Sequence, residues 1–273
     1  MSNKIIWIAS YPKSGNTYLR CFLSNYLFNK KSNFNFDLLD KIPKFETRNV
    51  FKKVLSSKIF DSNFIYYKHF IDVQKKLIDN FSQNELIFKT HHFYGELNNY
   101  FFTNEKTTLL FVYLIRDPRE IIISYAKHSN LSIDKMLEIF LSENLIRKFK
   151  MESIIRWDLH YKSWRSFKKV PSFFIKYEDL VNKPEKIFLI LINFLSEHMQ
   201  IDFDKKLFDK SIELTKFDNL KKMEKLYGFK ESVENNFFNT GKVDSWKEIL
   251  NKSQTHQIES KFFKEMKELG YIN

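Results

Sequence analysis

The chain has little of what punctuates, staples or loosens a fold. Its 273 residues include one cysteine, Cys21, which excludes a disulfide framework and a cysteine-based zinc cluster. Five glycines and five prolines leave no composition for a flexible linker, so one domain spanning residues 1–273 is expected. Long apolar runs are missing as well. The longest, near Leu109–Ile115 and Ile187–Ile192, fall far short of the roughly 20 residues that cross a bilayer. Ile5–Ala9 is apolar, but Pro12 and Lys13 follow at once, without the extended apolar region or small-residue cleavage site of a secretory leader. These absences predict a compact protein of a reducing compartment, the cytoplasm, with no stable membrane insertion. On oligomeric state the sequence is silent.

What is abundant is aromatic and basic. Aromatics make up 17% and charged residues 29%, which excludes a disordered or collagen-like chain. Lysine and arginine number 45 against 33 aspartate and glutamate, a formal charge of +12. An anionic partner is one reading of that excess. Lysines such as Lys205, Lys206, Lys221, Lys222, Lys261 and Lys264 are nevertheless interleaved with acidic residues, as on solvated helix faces. That pattern argues against a nucleic-acid surface, while the excess would still steer a multiply charged small molecule toward the protein.

Lys4–Ser10 reads as a short strand buried on both faces, and Thr17–Phe28 follows with Leu19, Phe22, Leu23, Tyr26 and Leu27 at helical spacing. Leu86–Thr90, Thr108–Ile115 and Ser172–Tyr177 read as further strands; Ile121–Lys127, after Pro118, and Pro184–Phe194 read as helices. Strands alternating with helices predict an α/β fold: a central parallel β-sheet with helices on both faces, entered through a P-loop-like strand–loop–helix. Asp37–Val73 and Leu131–Lys168 read as mostly helical insertions at one rim. Such sheets bind ligands at the carboxyl ends of their strands.

The first of those ends carries Ser10-Tyr11-Pro12-Lys13-Ser14-Gly15-Asn16-Thr17-Tyr18-Leu19-Arg20. A strand-to-helix loop aims backbone N–H groups and the positive helix end at one point, where a phosphate is well held. Against the triphosphate P-loop, Gly-x4-Gly-Lys-Ser/Thr, Gly15 and Thr17 fit the last Gly and the Ser/Thr. Asn16, however, fills the lysine slot, Ser10 the leading Gly, and a lysine stands instead at Lys13. A P-loop nucleotide kinase remains an alternative, opposed by Asn16 and supported only by Asp117 as an acidic residue that could hold magnesium after a strand.

Tyr-Pro-Lys-Ser-Gly-Asn-Thr-Tyr-Leu-Arg resembles the 5′-phosphosulfate loop of sulfotransferases that use 3′-phosphoadenosine 5′-phosphosulfate (PAPS). The resemblance implies that Lys13 reaches the phosphosulfate bridge, that Ser14, Gly15, Asn16 and Thr17 hold the 5′-phosphate, and that Tyr18 stacks on adenine where the family usually has Trp. Arg116-Asp117-Pro118-Arg119-Glu120-Ile121-Ile122-Ile123-Ser124 resembles the family's 3′-phosphate motif, implying phosphate contacts from Arg116 and Ser124. A guanidinium fork and a hydroxyl suit a phosphate dianion. By the same analogy Ser124 restrains Lys13 until an acceptor binds.

Lys89-Thr90-His91-His92 resembles the family's Lys-Thr-His, whose His takes the acceptor's proton; imidazole suits that work because its free pKa of ~6.5 lies near working pH. His91 is the matching residue and His92 its competitor, since a strand turns alternate side chains to opposite faces. Paired histidines also raise the question of a metal, but no further ligands are spaced nearby, and no metal is expected. Trp157-x-x-His160-x-x-x-Trp164 resembles a packing helix of the family. Tyr177 matches a nucleotide-contacting Tyr, and Thr215 and Phe217 an adenine-contacting segment. Phe238–Lys247 resembles the family's Arg-Lys-Gly-x-x-Gly-Asp-Trp-Lys, which brings Asn239, Thr240 and Gly241 to the 3′-phosphate. Asn239 and Thr240 replace the Arg-Lys pair, and Ser245 also departs from the pattern. The expected activity is in-line transfer of a sulfuryl group from PAPS to a hydroxyl or amine of a small-molecule acceptor, with adenosine 3′,5′-bisphosphate as product. A nucleotide-binding relative weakened by Asn239 and Thr240 is the other alternative.

Overall fold

The computed structural model describes residues 3–29, 33–56, 60, 65–142, 147–149, 152–231, 237–238, 241 and 243–273. Among these, the chain forms strands β1 (Ile5–Ser10), β2 (Ile87–Thr90), β3 (Glu96–Leu97), β4 (Tyr100–Phe101), β5 (Thr108–Ile115), β6 (Arg147–Phe149), β7 (Glu152–Ile154) and β8 (Ser172–Lys176). Four of them make the central sheet, in the order β2-β1-β5-β8. Every neighbouring pair is parallel: Trp7 aligns with Phe88 on one side and Phe111 on the other, and Tyr113 with Phe174.

Alternation along the strands divides the core. Ile6, Ile8, Leu110, Val112 and Leu114 point to one face, against Leu19, Phe22, Phe188 and Leu191 of the helices Asn16–Phe28 and Pro184–Met199. Ile5, Trp7, Ala9, Phe111 and Tyr113 point to the other, against Phe45, Phe70, Trp164 and Phe167. Trp7 sits 5.0 Å from both Phe45 and Phe102, contacts each worth about 0.5–1.5 kcal/mol beyond area burial. All six residues of β1 are buried, which is why that strand lacks polar alternation. Among the described residues no helix is long and apolar enough to cross a membrane.

Two rim segments depart from the helical expectation. Residues 37–73 form 3-10 turns at Phe36–Lys41 and Tyr66–His69, a short helix Arg48–Lys52 and the start of the helix Phe70–Asn80. Between them Pro43 breaks the pattern and the chain lies along β2: Lys89 N–H donates to the Pro43 carbonyl at 2.9 Å, and Phe45 N–H to the Lys89 carbonyl at 3.0 Å. The unpaired edge of a strand supplies those partners, a demand no local pattern expresses. In 131–168 the helices Ile133–Leu141 and Trp157–Ser166 flank an antiparallel ribbon, β6 with β7. No glycine or proline announces that reversal.

Candidate active site

β1 ends at Ser10, and the chain turns through two left-handed residues, Lys13 at φ 69° and Gly15 at φ 90°, before the helix starting at Asn16. That conformation is natural for glycine and costs a lysine about 1–3 kcal/mol, strain typical of functional loops. The loop is pinned from within, for the Asn16 side-chain amide donates to the Ile8 carbonyl at 3.0 Å and to Ser10 Oγ at 3.2 Å. The helix start has no side-chain cap and no acidic residue in its first turn. Among the described residues no side chain caps its first N–H groups, which leaves them and the positive helix end available to an anion.

Arg116 leaves β5 and joins this loop directly. Its Nη1 donates to the Lys13 carbonyl at 3.0 Å, and its guanidinium lies 4.3 Å from the Tyr177 ring centre. Tyr177 in turn covers Gly15: a Cβ on Gly15 would fall 2.2 Å from Tyr177 Cδ2. The expected loop residues, Arg116 and Tyr177 thus converge on one spot. Glu120 holds Arg116 Nη2 at 3.3 Å and also accepts from Ser245 Oγ and Trp246 N–H at 2.9 Å each. The segment carrying Ser245 is thereby tied to the arginine. Ser124 stands half-buried two turns into the same helix, Pro118–Ser129.

The imidazole enters from β2. His91 Nδ1 lies 2.8 Å from the Ser10 carbonyl and 3.2 Å from Ser10 Oγ. A carbonyl can only accept, so Nδ1 carries the proton and Nε2 is the basic nitrogen. Burial, reinforced by the charges of Lys89 and Lys44, holds the His91 pKa well below its ordinary value, leaving a neutral ring. His92 faces the other way. It is 1% exposed, its ring stacks 4.7 Å from Phe102 and 4.8 Å from Phe93, and Nδ1 bonds the Phe93 carbonyl.

The helix expected only to pack also fixes this strand end. His160 Nε2 lies 3.1 Å from the His91 carbonyl, and Trp164 Nε1 donates to the His92 carbonyl at 2.9 Å. Phe70 and Trp157 are each 1% exposed and belong to the core.

Two cations line the approach. Lys13 is brought down to about 8 by burial, then by Arg116 and Lys89. Lys89, also at about 8, is lowered by burial and Arg20 and raised by Glu231, to which its Nζ donates at 2.9 Å. The Lys-Thr-His run contains Lys89 but did not single it out; nothing local marks Glu231, 142 residues away.

On the far side of the loop, Tyr18 packs 5.2 Å from Phe217, and a Cβ on Gly241 would fall 3.2 Å from the Phe217 ring. These three expected positions meet. Thr215 does not open toward them, being 1% exposed with its hydroxyl donating to the Ser211 carbonyl at 2.7 Å. Asn239 and Thr240 lie outside the described residues.

Around the loop, Ser14 Oγ, Asn16 Oδ1 and Arg116 Nε are buried without a hydrogen-bond partner among the described residues. Buried polar atoms are rarely left so; three of them circling an uncapped helix start fit a polar ligand seated there.

A family model described as "Sulfotransferase domain" matches residues 3–270. Among solved structures, the chain is similar to retinol dehydratase in complex with androsterone and inactive cofactor PAP, with 18% identity, a TM-score of 0.63, and 96% of this chain and 80% of that one covered. Retinol dehydratase with retinol and PAP gives 19%, 0.62, 98% and 82%. Mouse sulfotransferase SULT7A1 complexed with PAP gives 17%, 0.59, 96% and 84%. At such identities the structural likeness establishes the shared fold, including the parallel four-stranded sheet. The family match over nearly the whole length establishes more: the chain belongs to the sulfotransferase family and is an enzyme of that class.

Proposed function

We propose that this single-domain protein transfers a sulfuryl group from PAPS to a hydroxyl or amine of a small-molecule acceptor. The observation that carries the reading is the meeting of Ser10 with His91: a neutral imidazole, its tautomer fixed, stands at the mouth of an uncapped phosphate-type loop whose Lys13 carbonyl is held by Arg116. The unpartnered donors Ser14 Oγ and Arg116 Nε support a donor molecule bearing phosphate groups.

In this reading Ser14, Gly15, Asn16 and Thr17 hold the 5′-phosphate, Arg116 and Ser124 the 3′-phosphate, and Tyr18, Tyr177 and Phe217 the nucleoside. Asn239, Thr240 and Gly241 border the 3′-phosphate. His91 Nε2 takes the acceptor's proton as the acceptor oxygen or nitrogen bonds to sulfur. The bridging S–O bond breaks, and its electron pair leaves with adenosine 3′,5′-bisphosphate. Lys13 stabilises the charge that grows on that oxygen, a contribution of about 10²–10³ in rate for one preorganised donor.

The reading is tested by supplying PAPS with a panel of phenols, amines and sugars and measuring label transfer by wild type and Lys13→Ala. Transfer by wild type, abolished in a folded Lys13→Ala protein, supports it. Substantial turnover by Lys13→Ala refutes the role of Lys13. Binding of adenosine 3′,5′-bisphosphate without transfer to any acceptor would point to the nucleotide-holding relative that Asn239 and Thr240 bring to mind.

A further inference from the structure

We infer that Glu231 is a positioning residue for Lys89 in the transfer centre, an inference that rests on the sulfuryl-transfer reading above. The carboxylate divides its work between two sides. Oε1 accepts from Arg20 Nη1 at 2.8 Å, while Oε2 accepts from Lys89 Nζ at 2.9 Å and from Thr17 Oγ1 at 3.4 Å. Arg20 is an immobile anchor: it is 2% exposed, Nε donates to the Ile42 carbonyl at 2.9 Å and Nη2 to the Leu39 carbonyl at 3.0 Å. With one oxygen locked to that anchor, the other is aimed at a loop hydroxyl and at an ammonium. Lys89 on β2 and His91 just past its end are close enough for the lysine's charge to act on the imidazole.

The charges around Lys89 show what the carboxylate does. Arg20 from the first helix, Lys13 from the loop and Lys44 from the segment flanking β2 are cationic, and His91 beside it on the strand end is neutral. Among the described residues Glu231 is the acidic group that offsets them: burial pushes its own pKa up, but Lys89 and Arg20 hold it down at about 2, so it stays charged throughout the working range. A buried ion pair gains little stability after desolvation. Its worth here is to keep Lys89 protonated and aimed. Arg20 argues against the carboxylate being a mere stand-in for a phosphate, because it supplies Glu231 with a holder of its own, fastened behind the loop to backbone carbonyls.

The experiment compares wild type, Glu231→Gln, Glu231→Asp, Lys89→Met and the Glu231→Gln/Lys89→Met double variant in PAPS-dependent transfer from pH 6 to 9.5, with calorimetry of adenosine 3′,5′-bisphosphate alongside. Glu231→Gln should lose about ten- to a hundredfold in kcat, the range for a bond to a charged group, with the larger part of the loss in kcat rather than KM for the donor. Its alkaline limb should move to lower pH, Glu231→Asp should restore the limb, and Glu231→Gln should cost nothing further in the Lys89→Met background. A wild-type kcat and pH profile in Glu231→Gln overturns the inference, as do losses that simply add in the double variant. Faster turnover with tighter nucleotide binding in Glu231→Gln also overturns it, revealing a competitor for the phosphate site. Should Glu231→Gln fail to fold, Glu231→Asp decides: a limb and kcat unaffected by the shortened carboxylate overturn the inference, and a lowered kcat at an unshifted limb supports it. Absence of transfer by wild type would instead defeat the underlying reading before any variant is compared.

Discussion

Gly15 lies directly beneath the ring of Tyr177, so close that a methyl group at its Cα would overlap the Cδ2 and Cε2 atoms at 2.2 and 2.6 Å. Tyr177 has no room to yield, since the Arg116 guanidinium covers it at 4.3 Å. Gly15→Ala should therefore displace the loop, the ring and the arginine together. The left-handed φ of 90° adds about 1–3 kcal/mol of backbone strain. The expected result is a folded protein of lowered melting temperature that no longer binds adenosine 3′,5′-bisphosphate by calorimetry. Wild-type affinity in Gly15→Ala would show that the nucleotide does not use this loop.

The two adjacent histidines should behave oppositely. His91→Ala removes the ring held by the Ser10 carbonyl, and transfer should fall by about 10²–10⁴ while nucleotide binding persists. His92→Ala opens a cavity among Phe70, Phe93 and Phe102, so its cost should appear as about 2–4 kcal/mol in urea unfolding, with turnover retained in the folded fraction. A folded, inactive His92→Ala beside an active His91→Ala reverses the assignment.

Nucleotide affinity should depend on pH through the two lysines. Both stand at about 8, lowered chiefly by burial, and both must be protonated to attract the phosphates. Because affinity is lost as a cation gives up its proton, binding should be level near pH 7 and weaken as pH rises through 8, where the phosphates of adenosine 3′,5′-bisphosphate are already fully ionised. Calorimetry between pH 7 and 9.5 reads this directly. An affinity level up to pH 9.5 would mean that neither lysine faces the ligand.

Arg116 should not tolerate a conservative exchange. Its fork reaches the Lys13 carbonyl and Glu120 at once, and its flat face lies on Tyr177. Arg116→Lys keeps the charge but loses the fork and the stacking. Affinity for the bisphosphate should drop roughly ten- to a hundredfold, while adenosine 5′-phosphate, lacking the 3′-phosphate, should lose less. Equal losses for the two ligands would place Arg116 away from the 3′-phosphate.

How much of this was legible in the sequence follows from how local each feature is. A strand buried on both faces must be an apolar run, so β1, β2 and β5 could be read to within a residue or two, and the partly buried β8 through its Phe-Phe-Ile centre, and with them the parallel sheet. The loop was legible through its resemblance to the 5′-phosphosulfate loop of sulfotransferases, carried by Pro12, Lys13, Ser14, Gly15 and Asn16. The chain's path along the edge of β2 at Pro43–Phe45 was not legible, because its partner is the backbone of Lys89, which no side-chain pattern records. The β6–β7 ribbon gave no turn residue to betray it. The loop motif ends at Arg20 but says nothing of its partners, the carbonyls of Leu39 and Ile42 and the carboxylate of Glu231, none of them near it in sequence.

The parts of the site meet across long stretches of chain. Ser10 and His91 are 81 residues apart, Lys13 and Arg116 103, Lys89 and Glu231 142. Contacts so remote are paid for in loop-closure entropy before they return anything, which slows folding. During synthesis the strand-to-helix loop is made well before Arg116, 103 residues after Lys13, and Lys89 in turn waits 142 residues for Glu231. A partly made chain thus carries Lys89 and Arg20 without the carboxylate that pairs with both, and that ion pair can close only once the ribosome has moved well past Glu231.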